Sequence, residues 1–468
     1  MEDIDHIVVL MLENRSFDHM LGDLSLSKGR KDVNGLADGM SNPDALGVAK
    51  KIRAVTAEKF ITDAGHDFAD VMKQLAMRDG KATMQGFVQN YALKFAAPAK
   101  QKKYGPEIMY YQTENTVPIH YWLADEYALS DTWFCPVPSE TWPNRIFAAA
   151  ATTTGRLSNG LPLYNLPTIF SRLRDRGLEW AIYNDQMPNA INIRHLAGEF
   201  VRSRHGEKSR FRSIRQFEQD CAADRLPPYS FIEPVYFFGG ANDDHPPHDI
   251  AKGQLFIAQI YLAIRRNEAL WKKTMLVITT DEHGGFFDHE PPPHGDFIPA
   301  PDNFPDKKHG FRFDQLGPRV PLLLVTPWVS KRRVFRAGAR EFFDHTSIIR
   351  SAAIRWGLEP LTRRDAAARP MWDALDLAEP RTDDTATFKK IDAWYKTQRP
   401  KTLAAGDAAE QKEMEGKSGR EVALLIASQG APRTLAAKDD EHSEFQESME
   451  ALAANVAAQA TELEAEAQ

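Results

Sequence analysis

Short apolar runs bounded by polar residues recur along the first 400 residues. Four of them are long enough for buried strands and cover residues 7–12, 180–183, 275–279 and 320–325. A continuous apolar run of this length is typical of a strand that is covered on both faces. The pattern therefore predicts a sheet inside the molecule.

Helical periodicity appears between these runs. Residues 250–268 bring six apolar side chains to one helix face: Ile250, Leu255, Ile257, Ile260, Tyr261 and Ile264. Alternating strands and helices favour the α/β class, in a doubly wound form with a mostly parallel sheet and helices on both faces. Segments 23–60 and 286–318, rich in glycine, proline and charge, are predicted to run over the surface.

The composition supports a large core and excludes several classes of protein. Of 468 residues, 43% are hydrophobic and 10% aromatic, which excludes wholesale disorder. The chain has 58 basic and 65 acidic residues, so it lacks the positive excess of a general nucleic-acid binder. Cys135 and Cys221 cannot form a disulfide framework or a four-thiolate zinc site, and one bridge between them stays open.

Charge separates the end of the chain from the rest. Residues 401–468 carry 14 acidic and 6 basic groups, a net of −8, whereas the whole chain has −7, so residues 1–400 sum to +1. We expect a folded body over 1–400 and an acidic, Ala/Glu-rich tail over 401–468, helical or disordered. A solvated tail is the first interpretation, and a helix that binds a protein partner is the alternative.

The amino terminus lacks the features of an export signal. It has no basic segment, and the apolar run at 7–12 is too short for a signal-peptide core. No run approaches the roughly 18 to 20 apolar residues of a membrane helix. We expect a soluble cytoplasmic protein, with a secreted or periplasmic location as the alternative if a leader has been removed.

Oxygen ligands follow two of the predicted strands. They are Glu13 and Asn14 after the first run, and Asp281 and Glu282 after the third. In an open parallel sheet, ligands bind beyond the carboxyl ends of the strands. Clustered carboxylates repel one another unless a cation or shared protons neutralise them. We therefore predict one or two divalent metal ions, of calcium, magnesium, manganese or zinc. A turn capped by Ser16 is the alternative for the first pair.

Histidines provide a second signal. Five of the 14 lie in one stretch: His245, His248, His283, His289 and His294. The prolines within 242–247 exclude a helix there, so this loop is suited to present an imidazole to an anion or metal ion. A turn with a helix cap at Asp249 is the alternative. His66 lies in Gly65-His-Asp67, which a surface turn explains equally well.

A hydroxyl is predicted near a helix start. Pro143 suits a first helical turn, which places Thr141 or Trp142 close to the amino-terminal cap. Unpaired backbone N–H groups and the helix dipole favour an anion such as phosphate there. A nearby metal ion would make the hydroxyl a nucleophile. An ordinary threonine cap is the alternative.

Together these segments resemble the phosphoesterase family of the bacterial and plant non-specific phospholipases C and a bacterial acid phosphatase. The resemblance is carried, in the family's order, by residues 13–22, 143–145, 230–234, 242–247, 281–289 and 344–347. The first and fifth of these segments are long and specific. The resemblance implies that 1–400 is a catalytic domain with an alkaline phosphatase/sulfatase-like fold.

The family's motifs also imply roles for single residues. Thr141 falls at the nucleophile position, and His66 and His245 fall at positions that contact the phosphoryl group. The implied metal ligands are Glu13, Asn14, Asp281 and Glu282, and the implied substrate-binding residues are Asn14 and His283. His283, His289 and His345 transfer less securely, as ligands, supporting residues or structural groups.

The implied reaction is metal-dependent hydrolysis of a phosphate ester through a phosphothreonine. Threonine at position 141 resembles the phospholipase C branch, which cleaves phospholipid to diacylglycerol and a phosphorylated headgroup. The substrate is then a phospholipid or a small phosphoester, and peripheral membrane contact stays open. Phe68 departs from relatives, which commonly have tryptophan there. A broad-range acid phosphatase and a non-catalytic phosphate- or headgroup-binding protein are the alternatives.

Overall fold

The structure, a computed structural model, describes residues 2–55, 63–160, 163–203, 209–236 and 240–402. The predicted acidic tail lies outside these residues except for its first two, which end the last helix. None of the described helices is both long and apolar enough to cross a bilayer. Cys135 and Cys221 are buried free thiols, so the bridge left open above is absent.

The described strands are short, and the longest two have seven residues. They are β1 (His6–Leu12), β2 (Ser41–Pro43), β3 (Ala49–Lys51), β4 (Arg53–Ala54), β5 (Tyr110–Tyr111), β6 (Ala128–Ser130), β7 (Trp180–Tyr183), β8 (Phe211–Arg212), β9 (Tyr229–Ile232), β10 (Thr274–Thr280), β11 (Leu322–Val325) and β12 (Arg333–Val334). Eight of them form one sheet in the order β12-β6-β11-β10-β1-β9-β7-β8. Only β11 runs antiparallel to its neighbours there, so the mostly parallel α/β fold is confirmed.

The described helices connect and cover these strands. They are α1 (Phe17–Leu21), α2 (Asp23–Leu26), α3 (Phe68–Leu75), α4 (Phe87–Ala92), α5 (Pro98–Tyr104), α6 (Pro118–Glu126), α7 (Thr141–Ala150), α8 (Ile169–Asp175), α9 (Arg194–Ser203), α10 (Ile214–Ala222), α11 (Ile250–Arg265), α12 (Glu268–Trp271), α13 (Thr346–Trp356), α14 (Arg363–Ala367) and α15 (Thr385–Thr402). One group packs around α11, with α6, α10 and α15, and another around α7, with α8 and α13.

The four strands predicted from apolar runs all belong to this sheet. The fourth begins at Leu322 rather than Val320, and Pro321 before it has no N–H for a ladder. The helix predicted over 250–268 ends at Arg265, because Asn267 caps a separate helix by accepting a hydrogen bond from Leu270 N. The pattern missed the other four strands of the sheet, β6, β8, β9 and β12, which have two to four residues each.

The segment 286–318 is not purely a surface excursion. Phe286, Phe287 and Asp288 are almost fully buried. The two aromatic rings join a second apolar cluster that also contains Val71 and Phe87. This start of the segment is therefore part of the wall that supports the polar residues after β10.

Candidate active site

The ends of β1 and β10 lie side by side. Leu12 pairs with Thr280 in the parallel register, so the residues after both strands emerge together. Asp281 N donates to Leu12 O at 3.1 Å, and Glu13 N donates to Asp243 O at 2.7 Å. The second bond brings in the loop that follows β9. Strand register thus collects carboxylates from three distant segments at one edge of the sheet.

These carboxylates are buried and outnumber the nearby cations. Glu13, Asp243, Asp281 and Glu282 are at most 2% exposed. Burial raises the pKa of Asp281 to about 6 and that of Glu282 to about 7. Burial and the Asp281 charge raise the pKa of Glu13 well above its usual value. Without a further cation, the site resists full ionisation.

Arg145 is the cation that contacts this cluster. Its Nε lies 2.9 Å from Asp281 Oδ2 and 3.5 Å from Glu13 Oε1. Burial alone lowers the pKa of Arg145, but Tyr236 and the carboxylates of Asp281 and Glu13 raise it above its ordinary value. One guanidinium therefore stays charged among several acids, which leaves a net negative site.

Several buried oxygens have no hydrogen-bond partner among the described residues. Those at this edge of the sheet are Glu13 Oε1, Asn14 Oδ1, Asp243 Oδ2 and Glu282 Oε1. A buried polar atom without a partner is costly, and hard divalent cations take oxygen ligands. Three of the four predicted ligands, Glu13, Asn14 and Glu282, thus have an oxygen without a hydrogen bond, although Glu13 Oε1 also lies 3.5 Å from Arg145 Nε. The fourth, Asp281, already accepts bonds from Arg145, Asn14 N and Glu282 N.

Backbone geometry holds Asn14 at the site. Asn14 has a φ of +54°, in the left-handed region. Its N–H donates to Asp281 Oδ1 at 3.1 Å. A Cβ on Gly284 would lie 2.3 Å from Asn14 O, so only glycine allows this approach of the two loops. Asn14 is therefore fixed between the exits of β1 and β10.

Thr141 is the first residue of α7. The sequence left open that Thr141 is an ordinary helix cap. Glu140 occupies the cap position instead, and Asn159 Oδ1 accepts a hydrogen bond from Trp142 N at 2.8 Å. The Thr141 hydroxyl makes no hydrogen bond to the described part of the chain. Its side chain is only 2% exposed. The hydroxyl is thus left available at the positive end of a helix.

The position of Arg145 orients this helix start. Residues four apart lie on the same face of a helix, so Thr141 and Arg145 share one face of α7. Thr141 lies one turn before Arg145. Arg145 Nη2 also donates to Leu12 O at 2.9 Å, at the end of β1. The Thr141 face of α7 is therefore turned toward the strand exits that carry Glu13 and Asp281.

His66 lies beside Asn14. Its Nδ1 is 2.7 Å from Ala64 O, which can only accept, so Nδ1 carries the proton in the neutral ring. The other nitrogen, Nε2, then has a lone pair directed at Asn14 Nδ2, 3.5 Å away. The turn at 65–67 is also a helix start, since Asp67 accepts from Asp70 N. The turn is therefore shown, and the contact of His66 with the phosphoryl group stays a prediction.

His245 faces His66 across Asp63. The ring centroids are 6.1 Å apart. His245 Nδ1 lies 2.6 Å from Pro246 O, and its Nε2 lies 3.7 Å from Asp63 Oδ2. Burial lowers the pKa of His245, and Asp63 opposes that effect. The structure therefore brings together the two histidines that the sequence assigned to phosphoryl contact.

His283, for which contact with the substrate is predicted, lies between Gln74 and Glu282. Its side chain is fully buried, and Nε2 lies 2.7 Å from Gln74 Oε1. Nδ1 is 3.2 Å from Glu282 Oε2. Burial lowers the pKa of His283 to about 3, so the ring is neutral. Gln74 Oε1 can only accept, so Nε2 carries the proton and Nδ1 faces Glu282 without a hydrogen bond among the described residues.

The two remaining histidines with uncertain roles hold the scaffold. His345 Nε2 lies 2.7 Å from Asp281 O, and Trp133 Nε1 donates to His345 Nδ1 at 3.2 Å. His289 Nδ1 is 2.6 Å from Asp18 Oδ2. His345 therefore fixes the backbone of Asp281, whereas His289 belongs to a separate buried charge network.

Three residues at the site carried no role in the sequence reasoning: Arg145, Asp63 and Asp243. Arg145 and Asp243 lie inside motifs that were recognised, and the spacing of four from Thr141 was the signal for Arg145. Asp243 touches Glu13 through its backbone carbonyl, a pairing between distant segments that local spacing does not reveal. Asp63 had no signal beyond its position three residues before His66.

Residues 4–359 of the chain match the Phosphoesterase family. The chain belongs to this family. Similar curated phosphoesterases include non-specific phospholipase C6 of Arabidopsis thaliana, 35% identical over 86% of this chain and 78% of the relative. Non-specific phospholipase C1 of the same plant is 36% identical over 78% of this chain and 69% of the relative. Phospholipase C B of Mycobacterium tuberculosis is 29% identical over 81% of this chain and 78% of the relative.

Solved structures superpose on part of this phosphoesterase. A phosphonate monoester hydrolase of Agrobacterium radiobacter is 14% identical, with a TM-score of 0.34 over 57% of this chain and 73% of that chain. A protein in the alkaline phosphatase superfamily from Vibrio parahaemolyticus is 9% identical, with a TM-score of 0.34 over 60% and 82%.

Proposed function

We propose that this phosphoesterase is a phospholipase C that cleaves phospholipid to diacylglycerol and a phosphorylated headgroup. The proposal is carried by the place of Thr141 at the start of α7, one helical turn before Arg145, which contacts the buried carboxylates of Glu13 and Asp281. The names of the relatives support a phospholipid as substrate.

The proposed metal site uses Glu13, Asn14, Asp281 and Glu282. Glu13, Asn14 and Glu282 each have an oxygen without a hydrogen bond among the described residues, and these oxygens and the net negative charge fit a divalent cation of the hard, oxygen-preferring kind. Such an ion, when bound, would polarise a phosphoryl oxygen and favour the alkoxide form of a neighbouring hydroxyl. Calcium, magnesium, manganese and zinc all suit these ligand atoms. Elemental analysis of the purified protein identifies which metal is bound.

Thr141 is the proposed nucleophile. Its oxygen attacks phosphorus, the bond to the diacylglycerol oxygen breaks, and a phosphothreonine remains. The backbone N–H of Thr141 and the side-chain amide of Asn14 are the proposed donors to the phosphoryl oxygens, where negative charge develops, since Trp142 N already donates to Asn159 and Pro143 has no N–H. Water then attacks the phosphothreonine and releases the phosphorylated headgroup.

His245 and His66 are the proposed proton carriers. One protonated imidazole donates to the departing oxygen, and Asp63, within 4 Å of both rings, stabilises the charged form. The same group then removes a proton from the attacking water. In both rings Nδ1 lies within hydrogen-bond distance of a carbonyl oxygen, so Nε2 is the nitrogen proposed to give and take the proton.

The product distinguishes a phospholipase C from a phosphatase. We expect the purified protein with divalent metal to release phosphocholine and diacylglycerol from phosphatidylcholine. Phosphorus-31 NMR separates phosphocholine from free phosphate in one sample. Release of free phosphate from monoesters alone would establish the acid phosphatase alternative, and phosphate binding without turnover would establish the non-catalytic one.

Thr141→Ala tests the nucleophile. We expect turnover to fall by at least about a thousandfold, because the covalent route is lost. Metal content and Tm should stay close to those of the unchanged protein. Thr141→Ser is the matched control and should keep measurable activity, since it keeps the hydroxyl. Full activity of Thr141→Ala would exclude Thr141 as the nucleophile.

A further inference from the structure

A surface pocket lies outside the set of residues assigned above. It has a volume of about 520 Å³ and is walled by two segments, 154–158 and 303–309. Three cationic side chains, those of Arg156, Lys307 and Lys308, line it together with His309. The aromatic ring of Phe304 stands at its rim and is 59% exposed. The pocket thus combines basic side chains with one exposed aromatic ring.

The loop that carries Phe304 is held firmly. Phe304 N donates to Asp302 Oδ1 at 2.9 Å, and Thr152 Oγ1 donates to the other oxygen of that carboxylate. Gly155 has a φ of +83°, and a Cβ there would lie 2.7 Å from Pro305 O. These contacts fix the backbone on both sides of Phe304. The fold therefore holds its ring in an exposed position.

The acidic groups of this loop are used internally, whereas the ammonium groups are not. Asp306 is 6% exposed, accepts from Lys308 N at 3.2 Å and His309 N at 2.5 Å, and lies near the His309 ring. Within the described part of the chain, no carboxylate pairs with the ammonium groups of Lys307 or Lys308. The outward charge of the loop is therefore positive.

Both walls of the pocket lead directly to the proposed active site. The His309 ring stacks on Phe68, with centroids 4.7 Å apart, and Phe68 follows His66 by two residues. On the other wall, Leu157 O accepts a hydrogen bond from Ser139 Oγ. Ser139 precedes Thr141 by two residues. A molecular surface bound at this pocket would therefore lie beside the groups that are proposed to cleave the substrate.

We propose that Phe304, Lys307 and Lys308 form a docking surface for a bilayer that contains anionic phospholipid. The inference rests on the proposed function, because only a lipid-cleaving enzyme needs its site held at a bilayer. The lysine charges complement anionic headgroups, and an aromatic ring at the rim suits the boundary between headgroups and acyl chains. The proximity of Phe68 and Leu157 then brings a lipid headgroup within reach of Thr141.

Vesicle binding tests the docking surface separately from catalysis. Binding is measured by co-sedimentation in the Thr141→Ala background, so that the lipid is not consumed. The vesicles contain phosphatidylcholine, with or without phosphatidylglycerol. We expect preference for the anionic vesicles, and binding weakened at least about tenfold both by Phe304→Ser and by Lys307→Ala/Lys308→Ala. In the otherwise unchanged enzyme, these substitutions should slow vesicle hydrolysis but not hydrolysis of p-nitrophenyl phosphorylcholine, a monomeric diester.

Exposed groups elsewhere serve as matched controls. Leu46 is 89% exposed, and Lys102 and Lys103 are exposed on α5. Leu46→Ser and Lys102→Ala/Lys103→Ala should leave vesicle binding unchanged. Equal weakening by these controls, or binding indifferent to anionic lipid, would overturn the docking surface. Failure of the unchanged enzyme to cleave the monomeric diester would instead contradict the proposed function.

Discussion

Glu13 shows how much of the site depends on the surroundings of a single carboxylate. The group follows a buried strand and lies against Asp281, with one oxygen unpartnered among the described residues. Burial and the neighbouring charge raise its pKa well above its usual value. A cation at this position offsets both costs, so the same residue that destabilises the site without a metal ion favours binding of one.

Glu13→Gln should weaken metal binding. The substitution keeps the shape but removes one negative charge, and we expect the affinity for divalent metal to fall at least about tenfold. Isothermal titration calorimetry measures the affinity directly. Glu107→Gln is the control, because Glu107 is partly buried in a short helix at residues 105–109, away from the strand exits. Equal metal affinity of Glu13→Gln and the unchanged protein would exclude Glu13 as a ligand.

His120 should contribute to acid sensitivity. Gln254 Oε1 accepts from Ile119 N, so its amide nitrogen must donate to His120 Nδ1, at 2.8 Å. Burial lowers the pKa of His120 to about 4. The unfolded chain takes up this proton near pH 6.5, so stability is full above that pH and falls as the pH drops toward 4.

The test of His120 compares pH slopes. His120→Asn keeps an acceptor near the Nδ1 position but cannot be protonated. Between pH 7.5 and pH 4.5, we expect it to lose about 2 kcal/mol less free energy of unfolding than the unchanged protein. Urea denaturation at both pH values measures this difference. Parallel loss in the two proteins would show that His120 takes up no proton on unfolding.

At the scale of elements, the site is a junction between a helix start and two strand ends. The loop after β10 turns sharply at Gly284 and Gly285, with φ of +62° and +71°. Gly284 lies against Asn14, and a Cβ on Gly285 would lie 2.6 Å from Gly65 O. These close approaches position the segments that carry Asn14 and His66.

Gly284→Ala should disturb this junction. Its Cβ would meet Asn14 O, in addition to the strain of a positive φ. We expect about 2 to 4 kcal/mol lower stability and at least about tenfold lower activity, because Asn14 must move. Gly47→Ala is the control, with a φ of +77° and open space around its Cβ. It should cost about 1 kcal/mol with unchanged activity. Equal effects of the two substitutions would contradict the junction.

At the scale of the whole molecule, a buried charge network joins segments far apart in sequence. Arg319 is fully buried and donates to Asp288 Oδ1 at 2.8 Å and to Asp18 Oδ1 at 3.0 Å. Its Nη1 also donates to Asn34 O and Asp131 O. The network ties the recognised motifs at 13–22 and 281–289 together behind the active site.

Arg319→Met should be strongly destabilising. It leaves the carboxylates of Asp18 and Asp288 buried without their guanidinium, and we expect about 3 to 5 kcal/mol lower stability. Chemical denaturation measures the free energy of unfolding. Arg340→Met is the control, since Arg340 pairs with Asp296 at the exposed surface. It should change stability by less than about 1 kcal/mol. A similar small effect of Arg319→Met would show that the network carries little stability.

Sequence by itself determined the elements with strong local patterns. Buried strands such as β1 and β7 were evident because their side chains are apolar on both faces. The start of α7 was evident because proline fits only the first turn of a helix. The motifs also placed Glu13, Asp281 and Thr141 in candidate roles before any contact was known.

Only the tertiary structure decided which of these groups meet and which are buried. Arg145 and Asp243 reach Glu13 or Asp281 through register and packing between distant segments. His283 was assigned to the substrate by the resemblance, and the structure shows that its ring is fully buried beside Gln74. The local pattern of apolar residues indicates which strand faces are buried. The partner of a charged side chain depends on contacts between segments that are hundreds of residues apart in the sequence. That is why the candidate ligands were readable from sequence and their supporting residues were not.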